Sequence, residues 1–510
     1  MTKRVRIFDT TLRDGEQASG VNLFPEEKVR IARQLIKLGI DVIEPGFPIS
    51  SPAEFQAVQM ISRISEQVEV SAFARVIKED IDAALKATED AVKRRLFLFV
   101  SSSQVHLEHQ LRKTRQQVIS MAREMVAYGR QFVDQIEFAP MDATRSDKEF
   151  LIELIEAVIE EGATIIKIPD TVGYTLPKEY GRLFTLLRSE VRGGDQVSYG
   201  AHCHNDLGMA LANSFEAIQC GADQVDVTVN GIGERAGNCS LEELAMLLET
   251  RKDAMDYTTG INTSEIYETS KLVSRLLNYP LALTKPIVGR NVFRHESGIH
   301  QDGILKHQGT YEIIDPAKVG VSREMIVLGK HSGRHAIKHK LEKYGINLPE
   351  SGLDIVYNRF KEWTSSNKHI SDDVLLQFAE VPRGEAALGG YSLVQTRVQS
   401  NVNKNVTVCL TLQNNQTSAL ETYTDSGTEV METVFRCIRQ AVPIRAILQE
   451  LEVHILDHEN GATACANVVL AIDGTQFTAS STDSDVIFAA ARAFLTACQL
   501  VSHKDTEPVH

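Results

Sequence analysis

The chain has 510 residues, 43% hydrophobic and 24% charged, which suits a soluble globular protein and is too long for a single compact core. A net charge of −14 argues against a nucleic-acid partner held through its phosphates, while leaving room for a local basic pocket. Seven scattered cysteines without a CxxC pair, no signal-like start and no apolar run near the ~18 residues of a membrane span predict a reduced, cytoplasmic protein.

In chain order, short apolar runs alternate with helical patterns. Candidate strands are "VRIFD" (5–9), "DVIEPGF" (41–47), "EVSAFA" (69–74), "RLFLFV" (95–100) and "DQIEFA" (134–139). They continue with "TIIKIP" (164–169), "VSYGAHC" (197–203) and "DQVDVTV" (223–229). Segments such as "PEEKVRIARQLIKLG" and "DKEFLIELIEAVIEEGA" place apolar residues three and four apart, and Gly39 and Gly162 stand at their C-terminal stops. Eight strands alternating with helices predict an α/β fold, a (β/α)8 TIM barrel over residues 1–260. A doubly wound open sheet would place a glycine-rich phosphate loop after its first strand, and none is there.

Residues 261–375 read as helical linker subdomains. Residues 376–510 read as an α+β module in which strands, a Thr-Asp-Ser step and a helix occur twice, with Asp425 and Asp483 as matching helix starts. That module suits a regulatory or dimerising role, or a purely structural one.

In such a barrel, chemistry collects at the C-terminal ends of the strands. Residues two apart on a strand point the same way, so His202 and His204 in "GAHCHNDLG" form a same-face pair ending the seventh strand. Asp14 follows the first strand in "FDTTLRDGEQ", and Asn238 follows the eighth in "NGIGERAGN". First, seventh and eighth strands are neighbours in a closed barrel, so these four side chains can converge. Two imidazoles, a carboxylate and an amide oxygen suit Mn²⁺, Mg²⁺, Co²⁺ or Zn²⁺ with positions open for a chelating substrate. Taken singly, Asp14 could be a helix cap and Asn238 a turn residue. Asn205 and Asp206 suit supporting and turn roles better than ligation. Arg13 either stabilises charge developing on a carbonyl or bridges to Glu44, and both can hold together. Thr171, after the sixth strand, either holds a substrate carboxylate or is an ordinary loop threonine.

Together "FDTTLRDGEQ", "HCHNDLG", "NGIGERAGN" and "HESGIHQDGILK" resemble the α-isopropylmalate synthase family, in a superfamily with homocitrate, citramalate and methylthioalkylmalate synthases. The resemblance implies a Claisen-type condensation of acetyl-CoA with a 2-oxoacid, by default 3-methyl-2-oxobutanoate of leucine biosynthesis, followed by thioester hydrolysis. It assigns the divalent metal to Asp14, His202, His204 and Asn238, the keto oxygen to Arg13 and the substrate carboxylate to Thr171. It makes His300, in "SGIHQDG", the base for the acetyl methyl, reaching the site from the partner subunit of a homodimer. An amino-acid effector on the C-terminal module is implied as well, with no membrane or nucleic-acid partner.

The chain departs from the family around the 2-oxoacid. Phe73 stands where leucine is usual, Phe97 where histidine is, Lys167 for the asparagine of "NIPDTVG" and Met141 for a glutamate. Pro45 replaces a smaller residue or valine before "GFP". Lys167 is expected to pair with Asp226 or a substrate carboxylate, or to lie over an aromatic ring. These changes fit either compensated drift or a paralogue taking a bulkier or aryl 2-oxoacid such as phenylpyruvate. A metal-dependent aldolase or lyase would share Asp14 and the histidine pair without needing "SGIHQDG". A scaffolding protein without catalysis has only Met141 in its favour.

Overall fold

The computed structural model describes residues 2–321, 328–344, 346–366, 370, 372–383, 390–400, 405–458, 461–472 and 475–505. Two compact units emerge from the contacts, Met1–Val292 with Ile313–Val321 and Phe293–Glu312 with Ser322–His510.

The first unit holds a closed parallel barrel of eight strands in sequence order. They are β1 (Arg6–Asp9), β2 (Val42–Ile43), β3 (Glu69–Arg75), β4 (Arg94–Ser101), β5 (Ile136–Met141), β6 (Ile165–Asp170), β7 (Ser198–Cys203) and β8 (Gln224–Val227). Each lies within or overlaps one of the eight expected runs. Closure comes from β1 against β8, with Phe8 paired to Asp226 and Asp9 to Val227.

Helices follow the spacing of their apolar residues. In Pro25–Leu38, Ile31, Leu35 and Leu38 are fully buried, each worth roughly 1.5–3 kcal/mol over exposure. Pro25 opens that helix, and Gly39 closes it at φ 92°, where an added Cβ would meet the Gly260 carbonyl oxygen at 2.5 Å. Helix Arg115–Gly129 starts on a reciprocal cap between Thr114 and Gln117.

The inward faces of the strands carry charge as well as aliphatic bulk. Glu69 contacts Arg95 at 2.5 Å, and Arg95 contacts Glu137 at 3.1 Å. Glu137 lies 3.2 Å from Lys167, which lies 2.8 Å from Asp226. Gln224 ties the lower rungs together, accepting from Arg95 at 2.8 Å and donating to Glu137 at 3.0 Å. Signs alternate along this ladder, which is what lets buried charges coexist in a low-dielectric interior.

In the second unit, two three-stranded antiparallel sheets are each followed by a helix. The first set is Tyr391–Ser400, Val406–Asn414, Leu420–Gly427 and helix Val430–Ala441; the second is Ile447–His458, Gly461–Ile472, Thr475–Asp483 and helix Val486–Asp505. Alternating Val408, Leu410 and Leu412 of one sheet share a core with Val468 and Leu470 of the other, and Phe435 stacks on Phe494 at 4.1 Å. The internal repeat is real, but its helix starts differ from expectation. Ladder pairing runs through the first Thr-Asp-Ser step and up to the aspartate of the second, so Asp425 lies on a strand opposite Val408 and Asp483 ends a strand opposite Ala464. Asp425 instead bridges to Arg436 at 2.8 Å, and Asp485 receives the amides of Ile487 and Phe488 at the second helix start. Among the described residues, no helix is long and apolar enough to cross a membrane.

Candidate metal centre at the barrel mouth

His202 lies on β7 paired with Pro169, and His204 follows one residue past the strand, bridged to Asn238. Strand parity turns both rings to the mouth, where their Nε2 atoms are 3.2 Å apart. Asp14 Oδ2 completes the group at 3.5 Å from His202 Nε2 and 3.9 Å from His204 Nε2. All three residues are buried.

Each member is held from behind. Asp226 accepts from His202 Nδ1 at 3.0 Å, which leaves Nε2 with its lone pair toward the cluster. The turn carrying Asp14 is fastened by its own amide, donating to Thr10 Oγ1 at 3.2 Å, and by the Gly15 amide on the Thr10 carbonyl. Lys28, wholly buried, donates to the Leu12 carbonyl at 3.0 Å and contacts Glu16 at 2.5 Å and Glu54. Asn238 donates through Nδ2 to Asp14 at 3.2 Å and to the Ile232 carbonyl at 3.1 Å.

That arrangement suits a cation. The two Nε2 atoms face each other at hydrogen-bond distance beside a carboxylate, close enough to share a proton or a metal ion. The amide of Asn238, oriented by its two acceptors, leaves Oδ1 buried without a hydrogen-bond partner, and His204 Nδ1 is likewise unpartnered. Burial opposes the charge on Asp14, yet Arg13 and the two histidines hold its carboxyl well below the usual carboxylate range. Burial and the neighbouring His202 push His204 down to about 4, keeping its imidazole neutral and able to donate a lone pair.

Arg13 connects this cluster to the opposite wall. Its Nε donates to Glu44 at 2.8 Å and its Nη1 to Asp14 at 3.0 Å, so the expected Glu44 bridge coexists with a position beside the metal ligand candidates. Burial opposes the guanidinium charge, but Glu44 and Asp14 outweigh it and keep Arg13 cationic. Its Cζ lies 4.4 Å from the ring centre of Phe73.

Phe73 begins an aromatic wall. It stacks on Phe99 at 4.7 Å and meets Phe47 and Phe97 edge-on, each at 5.2 Å. Lys167 is buried one inward layer beneath His202, paired with Asp226 while its Nζ lies 3.5 Å from the Phe8 ring centre and 3.9 Å from that of Phe97. Two of the three expectations for Lys167 thus hold at once. Met141 ends β5, half-buried. Thr171 follows β6 and accepts from the Asp142 amide at 2.9 Å. Asn205 accepts from the Ala210 amide, and Asp206 pairs with Arg235 at 2.7 Å. His300 belongs to the second unit, exposed on helix Gly298–Lys306 and stacked on Tyr311 at 4.1 Å.

Sequence reasoning overlooked Asp226 as the support of His202, although an acidic residue alternating with valines in "DQVDVTV" signals an inward carboxylate. It also passed over Phe99, which shares the parity of Phe97 in "RLFLFV", and Lys28, whose pairing no local pattern announces.

Residues 4–273 match the family described as HMGL-like, 287–368 a homocitrate synthase post-HMGL domain-like family, and 369–502 the LeuA allosteric (dimerisation) domain. The chain is 44% identical over 497 residues to a 2-isopropylmalate synthase of Acetivibrio thermocellus, covering 97% of both chains. It is 45% identical to one of Pyrococcus furiosus, covering 98% of this chain and 99% of that one. A 2-isopropylmalate synthase of Syntrophus aciditrophicus is 43% identical, with 97% and 95% covered. On this full-length similarity, and with the barrel and its buried histidine pair in place, the chain belongs to the 2-isopropylmalate synthase family.

Proposed function

We propose that the chain is an acyltransferase that condenses acetyl-CoA with a 2-oxoacid and hydrolyses the thioester, giving a 2-alkylmalate and CoA. The default 2-oxoacid is 3-methyl-2-oxobutanoate, of leucine biosynthesis. The observation that carries this reading is the buried Asp14, His202, His204 and Asn238 cluster in direct contact with Arg13.

Those four residues would hold a divalent cation, Mn²⁺, Mg²⁺, Co²⁺ or Zn²⁺, which when bound supplies Lewis-acid polarisation of the keto carbonyl. Arg13 donates to the keto oxygen as negative charge builds there, a contribution of roughly 10²–10³ in rate for a well-placed donor. Thr171 already accepts from the Asp142 amide, so its hydroxyl proton is left to donate to the substrate carboxylate. His300, supplied across a homodimer, takes a proton from the acetyl methyl. The resulting carbon attacks the keto carbon, the keto oxygen gains a proton, and water then cleaves the thioester to release the CoA thiol. Residues 1–260 form the catalytic barrel, 261–375 the linker and 376–510 the dimerising module, the place for an amino-acid effector. The enzyme works in the cytoplasm.

The test is purified protein with acetyl-CoA, Mn²⁺ and 3-methyl-2-oxobutanoate, with thiol release and product mass followed together. One thiol per 2-isopropylmalate is expected. Cleavage of a 2-alkylmalate or another hydroxyacid without any CoA thiol would instead make the chain an aldolase or lyase.

A further inference from the structure

We infer that the apolar half of the mouth receives an aromatic side chain, so that the chain condenses acetyl-CoA with aryl 2-oxoacids of the phenylpyruvate type. This deepens the reading above and rests on it.

Arg13 is the link. One nitrogen of its guanidinium is on Asp14 and its Cζ is over Phe73, so a 2-oxoacid whose oxygens meet Arg13 and the histidine pair starts its side chain against the Phe73 ring. From there the wall is made of Phe73, Phe97, Phe47, Phe99 and the methyl of Ala139, with Phe8 and Val42 behind. None of these side chains offers a hydrogen-bond donor or acceptor. The cations over these rings, Lys167 at Phe97 and Arg75 at Phe47, are already paired with Asp226 and Asp80. A substrate with a second carboxylate or a hydroxyl on this side would therefore regain little of its lost hydration, and polar 2-oxoacids are disfavoured.

Ring geometry separates the remaining apolar candidates. Phe47 and Phe99 are only partly buried, as is Met141 at the end of β5, so these three border open space rather than being sealed in the core. Phe73 and Phe99 are nearly parallel, at 7°, while Phe47 and Phe97 stand at 72° and 65° to Phe73. These contacts hold the wall rings in place, and an incoming ring meets the exposed parts of Phe47 and Phe99, where each aromatic contact adds roughly two- to tenfold in affinity. Ala139 is the smallest side chain in the wall, and Met141 is a pliable thioether that favours contact with rings. A branched alkyl group gains burial here but none of the ring-specific contact.

The reaction balances without a further reagent: phenylpyruvate, acetyl-CoA and water give 2-benzylmalate, CoA thiol and a proton. The test is Mn²⁺-loaded full-length protein with acetyl-CoA and either phenylpyruvate or 3-methyl-2-oxobutanoate, with kcat/KM from thiol release and products identified by mass. The expected result is a kcat/KM for phenylpyruvate equal to or above that for 3-methyl-2-oxobutanoate. Phe99→Leu is then expected to lower the ratio of the two about tenfold. A lower wild-type kcat/KM for phenylpyruvate overturns this inference and leaves the proposed reaction intact. An unchanged ratio in Phe99→Leu overturns the role of the wall, and thiol release with neither substrate overturns both readings.

Discussion

Strands β1, β7 and β8 deliver Asp14, His202, His204 and Asn238 to one side of the barrel mouth, while β3 and β4 deliver Phe73, Phe97 and Phe99 to the other. The polar side depends on support from below and behind, through Asp226, Lys167, Thr10 and Lys28. Rings on the aromatic side support one another. Removing one group on the polar side should therefore propagate, whereas a substitution in the wall should stay local and change selectivity.

The largest effect is expected at the ligand candidates. His202→Ala should lower Mn²⁺ affinity by more than about 100-fold, beyond the 10–100-fold typical of supporting residues, with calorimetric titration of metal-stripped protein as the check. Mn²⁺ binding unchanged from wild type would place the ion elsewhere. Lys167→Met leaves Asp226 buried without its lysine, and Glu137 with Arg95 alone, and should cost about 3–5 kcal/mol, read from urea midpoints. A midpoint within error of wild type would mean the ladder does not need its central charge.

Asp226→Asn should keep the fold and lower metal affinity roughly 10–100-fold, since His202 loses the carboxylate that sets its tautomer. Arg13→Lys should reduce kcat by about 10²-fold, because an ammonium cannot span Glu44 and Asp14 and still present a flat donor face. Equal kcat in the lysine variant would remove Arg13 from the reaction.

The smallest effect is on pH dependence. His204 titrates at about 4 in the fold and near 6.5 when unfolded, so below ~6.5 the unfolded chain binds the extra proton. Stability of the metal-free protein should be full above that value and fall progressively toward pH 4. In His204→Gln the slope of urea midpoint against pH should flatten across this window. An equally steep slope would assign the acid sensitivity to other groups.

Much of the site was legible because its signals are local. The alternation that makes His202 and His204 a same-face pair is written within three residues, and barrel closure then brings β1 and β8 beside them. Phe73, Phe97 and Lys167 stood out for another reason, as departures from the residues the resembled family usually carries there. The charged ladder was less visible, since Arg95 meets Glu69, Glu137 and Gln224 only once the register of four strands is set. Lys28 reads as an ordinary solvent-facing helix residue until the loop of Leu12 and Glu16 folds over it. In the C-terminal module the repeat was plain, yet ladder hydrogen bonds carried Asp425 and Asp483 into strands where helix starts had been expected.

The central claim is that the polar half grips a 2-oxoacid through a bound divalent ion. Its most direct measurement is calorimetric binding of 3-methyl-2-oxobutanoate and phenylpyruvate to metal-stripped protein, before and after adding one equivalent of Mn²⁺. Binding that appears only with the ion, and is lost again in His202→Ala, is the expected result. Equally tight binding to the metal-stripped protein would contradict the account.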